Sequence, residues 1–72
     1  MPFVNIRMVE GRSRARKEEI AKRVTAAISE LAEIPPGDIW VVFEDVTADD
    51  WFVGPERVST LRKRAKAARR KS

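Results

Sequence analysis

The chain has 72 residues, which is enough for one small domain. A monomer of this size buries only about 60% of the surface that its unfolded chain exposes, so its own core gives limited stability. Cysteine and histidine are both absent, which excludes disulfides and the commonest structural metal sites. The composition therefore predicts that the chain gains stability by associating with further subunits.

The apolar runs are short, and the charge is unevenly distributed. No run approaches the roughly 20 residues that a membrane-spanning helix needs, and no signal-peptide core follows Met1, so we expect a cytoplasmic protein. The net charge is +4, yet seven of the eleven residues from position 62 to 72 are basic and none is acidic. We therefore predict a domain over residues 1–61 and a flexible basic tail over 62–72.

The basic tail raises the question of a nucleic-acid partner, because clustered cations bind phosphates. Aromatic residues are missing from positions 62 to 72, so stacking on bases is not expected there. Neither nucleic acid nor a membrane is therefore a predicted partner.

The first element predicted along the chain is a β-strand over residues 3–9. Its residues alternate in character, with Val4, Ile6 and Met8 on one side, which is typical of a strand with one apolar face. Gly11 then stands where a turn is needed, and Ser13 is suited to capping the first turn of a helix.

An amphipathic helix is predicted from about Arg14 to Ala32. Spacings of three, four and seven residues place its apolar positions on one face. These positions are Ile20, Val24, Ala27, Ile28 and Leu31. The run Pro35-Pro36-Gly37 forbids helical continuation, so the helix should end near Glu33.

A second strand is predicted over residues 39–44, which are rich in β-branched and aromatic side chains. A helix of about five turns between two strands makes the strands parallel. A polar loop over 46–50 and a short hairpin arm over 51–54 follow, and the remainder has the composition of a frayed basic helix. The predicted fold class is α+β, a β-α-β subunit whose two-stranded sheet is too small alone and is completed by dimerisation.

Four features of the chain resemble those of a known family. They are Pro2 after Met1, the turn Glu10-Gly11-Arg12-Ser13, the proline break near position 35, and an aromatic residue at position 51 ahead of Gly54. With these spacings, residues 2 to about 54 resemble the 4-oxalocrotonate tautomerase family. The resemblance implies β-α-β subunits that pair into dimers and typically assemble into hexamers, and it implies catalysis without a cofactor or metal.

The resemblance also implies roles for Pro2 and Arg12. Met1 would be removed, the amine of Pro2 would move a proton in an enol or unsaturated oxo acid, and Arg12 would bind and polarise a substrate carboxylate. An ordinary α-amino group has a pKa of about 8, and burial and nearby positive charge would both lower the pKa of the Pro2 amine towards that of a usable base. The planar fork of the Arg12 guanidinium is suited to holding a carboxylate.

Trp40 and Trp51 are the predicted apolar residues of the substrate site. Trp51 stands at the family position of an active-site aromatic residue. Trp40 stands at the position of a second arginine, which a neighbouring subunit contributes to grip the substrate. A tryptophan does not supply that charge, so the resemblance to the hydroxymuconate enzymes is incomplete, and Arg7 and Arg57 are substitutes that the motif does not support.

This departure leaves three alternatives open. The chain is one half of a hetero-oligomer whose other subunit supplies the arginine, or a non-catalytic partner subunit, or a hydratase resembling the chloroacrylic acid dehalogenases. Those dehalogenases also carry an aromatic residue here in one subunit, but Val53 stands where they need a water-activating carboxylate. Asp49 and Asp50 lie out of register, so hydrolytic dehalogenation ranks below tautomerisation.

Overall fold

The computed structural model describes residues 2–71, with the side chains of residues 2–68. Its elements are β1 (Phe3–Val9), α1 (Arg14–Ala32), a 3-10 turn (Pro36–Asp38), β2 (Trp40–Val46), β3 (Phe52–Val53), β4 (Glu56–Arg57) and α2 (Val58–Lys71). Met1, whose removal the resemblance implies, lies outside the described residues.

β1 and β2 form a two-stranded parallel sheet, which confirms the prediction from the crossover helix. The register runs from the pair of Phe3 and Trp40 to the pair of Val9 and Val46, so the strands lie side by side over seven residues. The pairing extends one residue beyond β1, because the amide of Trp40 donates to the carbonyl of Pro2 at 3.0 Å.

α1 has the predicted bounds, and local interactions explain both of its ends. The Ser13 hydroxyl accepts a hydrogen bond from the amide of Arg16 at 3.2 Å, which satisfies one free donor of the first turn. At the other end Glu33 adopts a left-handed conformation with φ of 55°, and its amide donates to the carbonyl of Ser29. The Ser29 hydroxyl donates to the carbonyl of Ile34 at 2.6 Å, which fixes the chain as it leaves the helix.

The two sides of the sheet differ in their cover. Lys17 of α1 bonds to Asp45 of β2 at 2.5 Å, which identifies the side that α1 covers. The residues on this side are half-buried and include Val4, Ile6, Val41 and Phe43. The other side, called the open face here, carries Phe3, Asn5, Arg7 and Val9 of β1 and Trp40, Val42, Glu44 and Val46 of β2. Val9 and Val46 are half-buried, and the other six are exposed, with Phe3 and Trp40 at 61% and 54%.

The subunit has very little buried core of its own. Among residues 2–68, Ile39 and Ala48 are the ones that are buried. The radius of gyration is 16.5 Å, whereas a compact domain of this length has about 11 Å. Two of the five apolar positions of the predicted helix are exposed, since Leu31 is 83% exposed and Ala27 is exposed as well. A helix of 19 residues spans about 28 Å and a seven-residue strand about 23 Å, which leaves the last turn of α1 without strand residues to cover it.

β3 and β4 pair antiparallel, as the predicted hairpin requires. α2 follows at once, and its first amides are bonded to the preceding loop: Val58 donates to the carbonyl of Trp51 at 2.8 Å and Ser59 to that of Ala48 at 3.0 Å. The helix includes most of the basic segment, whose flexibility stays a prediction.

Within the described part of the chain, neither helix has the length and apolar character needed to cross a bilayer. The cytoplasmic location also stays a prediction.

Candidate active site

The four predicted site residues lie in two groups at opposite ends of the sheet. Pro2 precedes β1, and Trp40 begins β2 beside it. Arg12 follows the other end of β1, and Trp51 follows the other end of β2. With seven residues in each strand and about 3.3 Å per residue, the two groups are about 20 Å apart within one subunit. The fold therefore does not bring Pro2 and Arg12 of the same chain together.

The end of the sheet that carries Pro2 is aromatic. Pro2 is half-buried, and its carbonyl is fixed by the 3.0 Å hydrogen bond from Trp40. Phe3 and Trp40 are partners in the strand register and share the open face. The start of the chain is thus held at an apolar edge that a second subunit can cover.

The opposite end of the open face contains a hollow of about 390 Å³ beside Trp51. Trp51 is half-buried there. The residues that line the hollow are Arg7, Glu44, Val46, Asp50, Trp51 and Phe52. The hollow therefore combines an apolar wall with one guanidinium and two carboxyl groups.

A polar network on the open face connects the two strands. Glu44 accepts hydrogen bonds from the Asn5 amide at 2.8 Å and from the Arg7 guanidinium at 3.2 Å. The hydrogen bond from Asn5, followed by the positive charge and hydrogen bond of Arg7, holds the pKa of the Glu44 carboxyl below its usual value. This network was not predicted from the sequence, because it depends on the parallel register that places Arg7 opposite Glu44.

Arg12 lies in the turn that joins β1 to α1. Gly11 has a φ of 122°, which residues with a side chain rarely adopt, and this explains the glycine at the turn. Arg12 is exposed and borders a hollow of about 350 Å³. The other residues lining this hollow are Arg16, Glu19, Ile20 and Arg23. Three guanidiniums and one carboxylate give the region a positive charge that suits an anionic ligand.

The two arginines considered as substitutes are both beside carboxylates. Arg7 bonds to Glu44, and Arg57 lies 3.9 Å from Asp49. A third guanidinium, that of Arg62 in α2, donates to the carbonyl of Glu10 at 3.3 and 3.4 Å. This contact was not predicted, because position 62 was expected to lie in the flexible tail.

Comparison with known proteins identifies the family. The family model described as a tautomerase enzyme matches residues 2–61. Probable tautomerases of Bacillus cereus and Halalkalibacterium halodurans are 39% and 37% identical to this chain over 59 residues, which is 82% of this chain and 97% of each relative. The chain belongs to the 4-oxalocrotonate tautomerase family of the tautomerase superfamily.

Solved structures of the same family share the fold. The 4-oxalocrotonate tautomerase homologue TomN of the tomaymycin biosynthetic pathway superposes with a TM-score of 0.82 at 29% identity, over 86% of this chain and 95% of that one. A heterohexameric 4-oxalocrotonate tautomerase of Chloroflexus aurantiacus gives 0.80 at 31% identity, over 86% of this chain and all of the other. The predicted resemblance and fold class are confirmed.

Acidification tests the network on the open face. Because the pKa of Glu44 is lowered in the folded state, its charged form stabilises the folded protein above the ordinary pKa of about 4.3, and this contribution is lost as the pH falls through the lower folded-state value. Asn5→Ala removes the donor with the largest effect. Asn5→Ala should therefore lower the free energy of unfolding, measured in urea titrations, by more at about pH 7 than at about pH 3.

The matched control for this experiment is the Glu44→Gln background, which has no carboxyl group to titrate at position 44. In that background Asn5→Ala should lower the free energy of unfolding by the same amount at both pH values. A cost in the original background that does not change with pH would contradict the role assigned to the Glu44 carboxylate.

Proposed function

We propose that this chain is a tautomerase that moves a proton in an enol or unsaturated 2-oxo acid, with the amine of Pro2 as first base and then acid. Family membership together with the position of Pro2, half-buried at the start of β1 and bonded to Trp40, supports this proposal. Once Met1 is removed, Pro2 carries a free secondary amine. Its ring limits the motion of that amine, which reduces the entropy lost in aligning it with a substrate.

A complete site in this proposal needs two subunits. A separation of about 20 Å prevents one small substrate from touching Pro2 and Arg12 of the same chain. In a two-fold dimer the same surfaces of both chains meet, so the Pro2 end of one sheet can lie beside the Arg12 end of the other. We therefore propose that Pro2 and Trp40 come from one subunit, and Arg12 and Trp51 from its neighbour.

The exposed apolar surface supports association. The open face places Phe3, Trp40 and Val42 in solvent in the single subunit, although burial of such side chains is worth about 1.5–3 kcal/mol each. A second hollow, with a volume of about 810 Å³, lies along α1. Small side chains contribute to it, including Ala21, Thr25 and Ala26. We propose a dimer-based oligomer, a hexamer in its completed form, in which both surfaces are covered.

The chemistry then follows from the charges around the substrate. The Pro2 amine accepts the enol hydroxyl proton and returns it to a substrate carbon, so the amine ends as it began. Arg12 binds the carboxylate and stabilises the negative charge that spreads over the conjugated chain in the transition state. Trp51 and Trp40 exclude water from the amine, and this desolvation, with the nearby guanidinium, lowers the pKa of the amine towards neutrality.

A hetero-oligomer is the second candidate. Trp40 stands where the family resemblance implies an arginine, and the related enzyme of Chloroflexus aurantiacus is a heterohexamer. A different subunit would then supply the missing guanidinium. Native mass spectrometry of the assembly purified from its own cells distinguishes one subunit mass from two.

Replacing Pro2 by alanine tests the catalytic assignment. We expect kcat/KM for an enol acid such as phenylenolpyruvate to fall by about 100-fold or more, because a positioned acid–base group contributes about 10²–10⁴ to the rate. Intact mass must first show that Met1 is absent from both proteins. Pro55→Ala is the matched control, since Pro55 lies in the hairpin turn, and it should keep the original rate. Equal rates for Pro2→Ala and the original protein would reject the assignment.

A charge on the open face tests the assembly. Val42 lies near the middle of this face and is apolar, so Val42→Lys would place an ammonium in the interface, at a cost of several kcal/mol. We expect the variant to dissociate into smaller species in native mass spectrometry. Ala67→Lys, at an exposed position of α2 beyond the family match, is the control. It should leave the number of subunits in the assembly unchanged. An intact Val42→Lys assembly would show that the open face is not an interface.

A further inference from the structure

We propose that the basic part of α2, residues 62–71, is a binding surface for the phosphates of double-stranded DNA. This segment is called the basic arm here. Its binding of DNA goes beyond the proposed function and requires neither Pro2 nor the open face. Three observations carry the proposal: how α2 leaves the domain, how its cations are arranged around the helix, and which side chains the arm lacks.

The first turn of α2 is attached to the domain, and the part that follows is exposed. The amide of Val58 donates to the carbonyl of Trp51 at 2.8 Å, and residues 58–61 are half-buried. The Arg62 guanidinium adds a contact with the carbonyl of Glu10. From position 62 to position 68 every residue is exposed. The arm therefore has a fixed base and an accessible surface.

The cations of the basic arm are concentrated on one side of the helix. An α-helix turns by about 100° per residue, so five backbone positions of the arm lie within about 120° of one another around its axis. Each of the five carries Lys or Arg, and together they extend over about 12 Å along the axis. These five residues, called the basic stripe here, are Arg62, Lys63, Lys66, Arg69 and Arg70. Three of the other five positions of the arm are alanine.

Nearby carboxylates do not balance the charge of the stripe. No Asp or Glu follows Glu56 in the sequence. Among the α2 side chains that the structure describes, Arg64 is the one in an ion pair, and its position lies outside the stripe. Residues 1–61 contain eight basic and eleven acidic residues, a net charge of −3. A polyanion is therefore attracted to the arm and repelled by the rest of the chain.

The composition of the arm favours a duplex over other polyanions. Helices that bind a lipid surface insert large apolar side chains, whereas the uncharged positions of the arm, 65, 67 and 68, are all alanine. Proteins that bind single strands stack the bases on aromatic side chains, and the arm has none. The missing aromatic residues, which made nucleic acid an unexpected partner, argue against single strands only, because a duplex is held through its phosphates.

Duplex DNA also fits the dimensions of the arm. Its major groove is about 12 Å wide and admits an α-helix, whereas the major groove of duplex RNA is too narrow for side chains to read. DNA has one negative charge per about 1.7 Å of its axis, so a length of about 12 Å contains about seven phosphates. Each of the five stripe cations can thus contact a phosphate. Such binding does not depend on base sequence.

The test measures binding of the full chain to a short fluorescent DNA duplex of mixed sequence, by anisotropy at several salt concentrations. The logarithm of Kd should rise with the logarithm of salt concentration with a slope of about 4.5 or more, because each of five phosphate contacts contributes about 0.9. Lys66→Glu should weaken binding roughly 10-fold at low salt. Arg14→Glu, at an exposed position of α1, makes the same change in net charge and should bind as the original does.

A second variant separates the stripe from the net charge. Lys66→Ala combined with Ala68→Lys keeps the composition and moves one cation by about 200° around the helix. We expect this variant to bind DNA more weakly than the original protein. Equal binding would overturn the assignment to this side of the helix.

Other outcomes would also overturn the inference. They are an absence of DNA binding at low salt, an equal loss in Lys66→Glu and Arg14→Glu, and tighter binding to the single strand, to duplex RNA of the same sequence or to phosphatidylserine vesicles than to the DNA duplex. Far-ultraviolet circular dichroism establishes that the variants keep their helix content.

The proposed function and this inference fail separately. Pro2→Ala should bind DNA as the original protein does, and Lys66→Glu should keep the original kcat/KM for phenylenolpyruvate. Loss of activity in Pro2→Ala without any DNA binding by the original protein would reject this inference alone. DNA binding through the arm without activity dependent on Pro2 would reject the proposed function alone.

Discussion

The parallel pairing of β1 with β2 determines where every candidate residue lies. Because the register is fixed over seven pairs, Pro2 and Trp40 share one end of the sheet and the Arg12 turn lies at the other. The same pairing gives the sheet two sides, of which α1 covers one. A single subunit thus has its candidate groups about 20 Å apart, and the apolar side chains of Phe3, Trp40 and Val42 on its open face are exposed. In our proposal a second subunit covers the open face and, by the same contact, brings its own Arg12 turn to the Pro2 end of the first subunit.

Local chemistry made most of the subunit predictable. Strand alternation, the Ser13 cap and the proline break near position 35 are short-range signals, and the structure bears out the elements that they predict. The exposure of Leu31 was not predictable in this way, because helical periodicity identifies an apolar face without showing what covers it. In our proposal the missing cover belongs to another chain, in keeping with the prediction that the two-stranded sheet is too small to stand alone.

The candidate site was predictable as a set of residues but not as an arrangement. Pro2, Arg12 and Trp51 were found by their spacing, whereas their separation follows from topology. The network of Asn5, Arg7 and Glu44 depends on a cross-strand register that one sequence does not specify. Arg62 escaped notice for a different reason: its partner is a backbone carbonyl 52 positions away, which no side-chain motif records.

The most direct test of a shared site is to mix two inactive variants, Pro2→Ala and Arg12→Ala, after dissociation and reassembly in equal amounts. If Pro2 of one subunit works with Arg12 of its neighbour, half of the random dimers contain both kinds of chain. One of the two sites in each mixed dimer then has both native residues, so about one quarter of the original activity should return. Each variant reassembled alone should remain inactive. A mixture that stays as inactive as its components would show that the two residues do not act across the subunit interface.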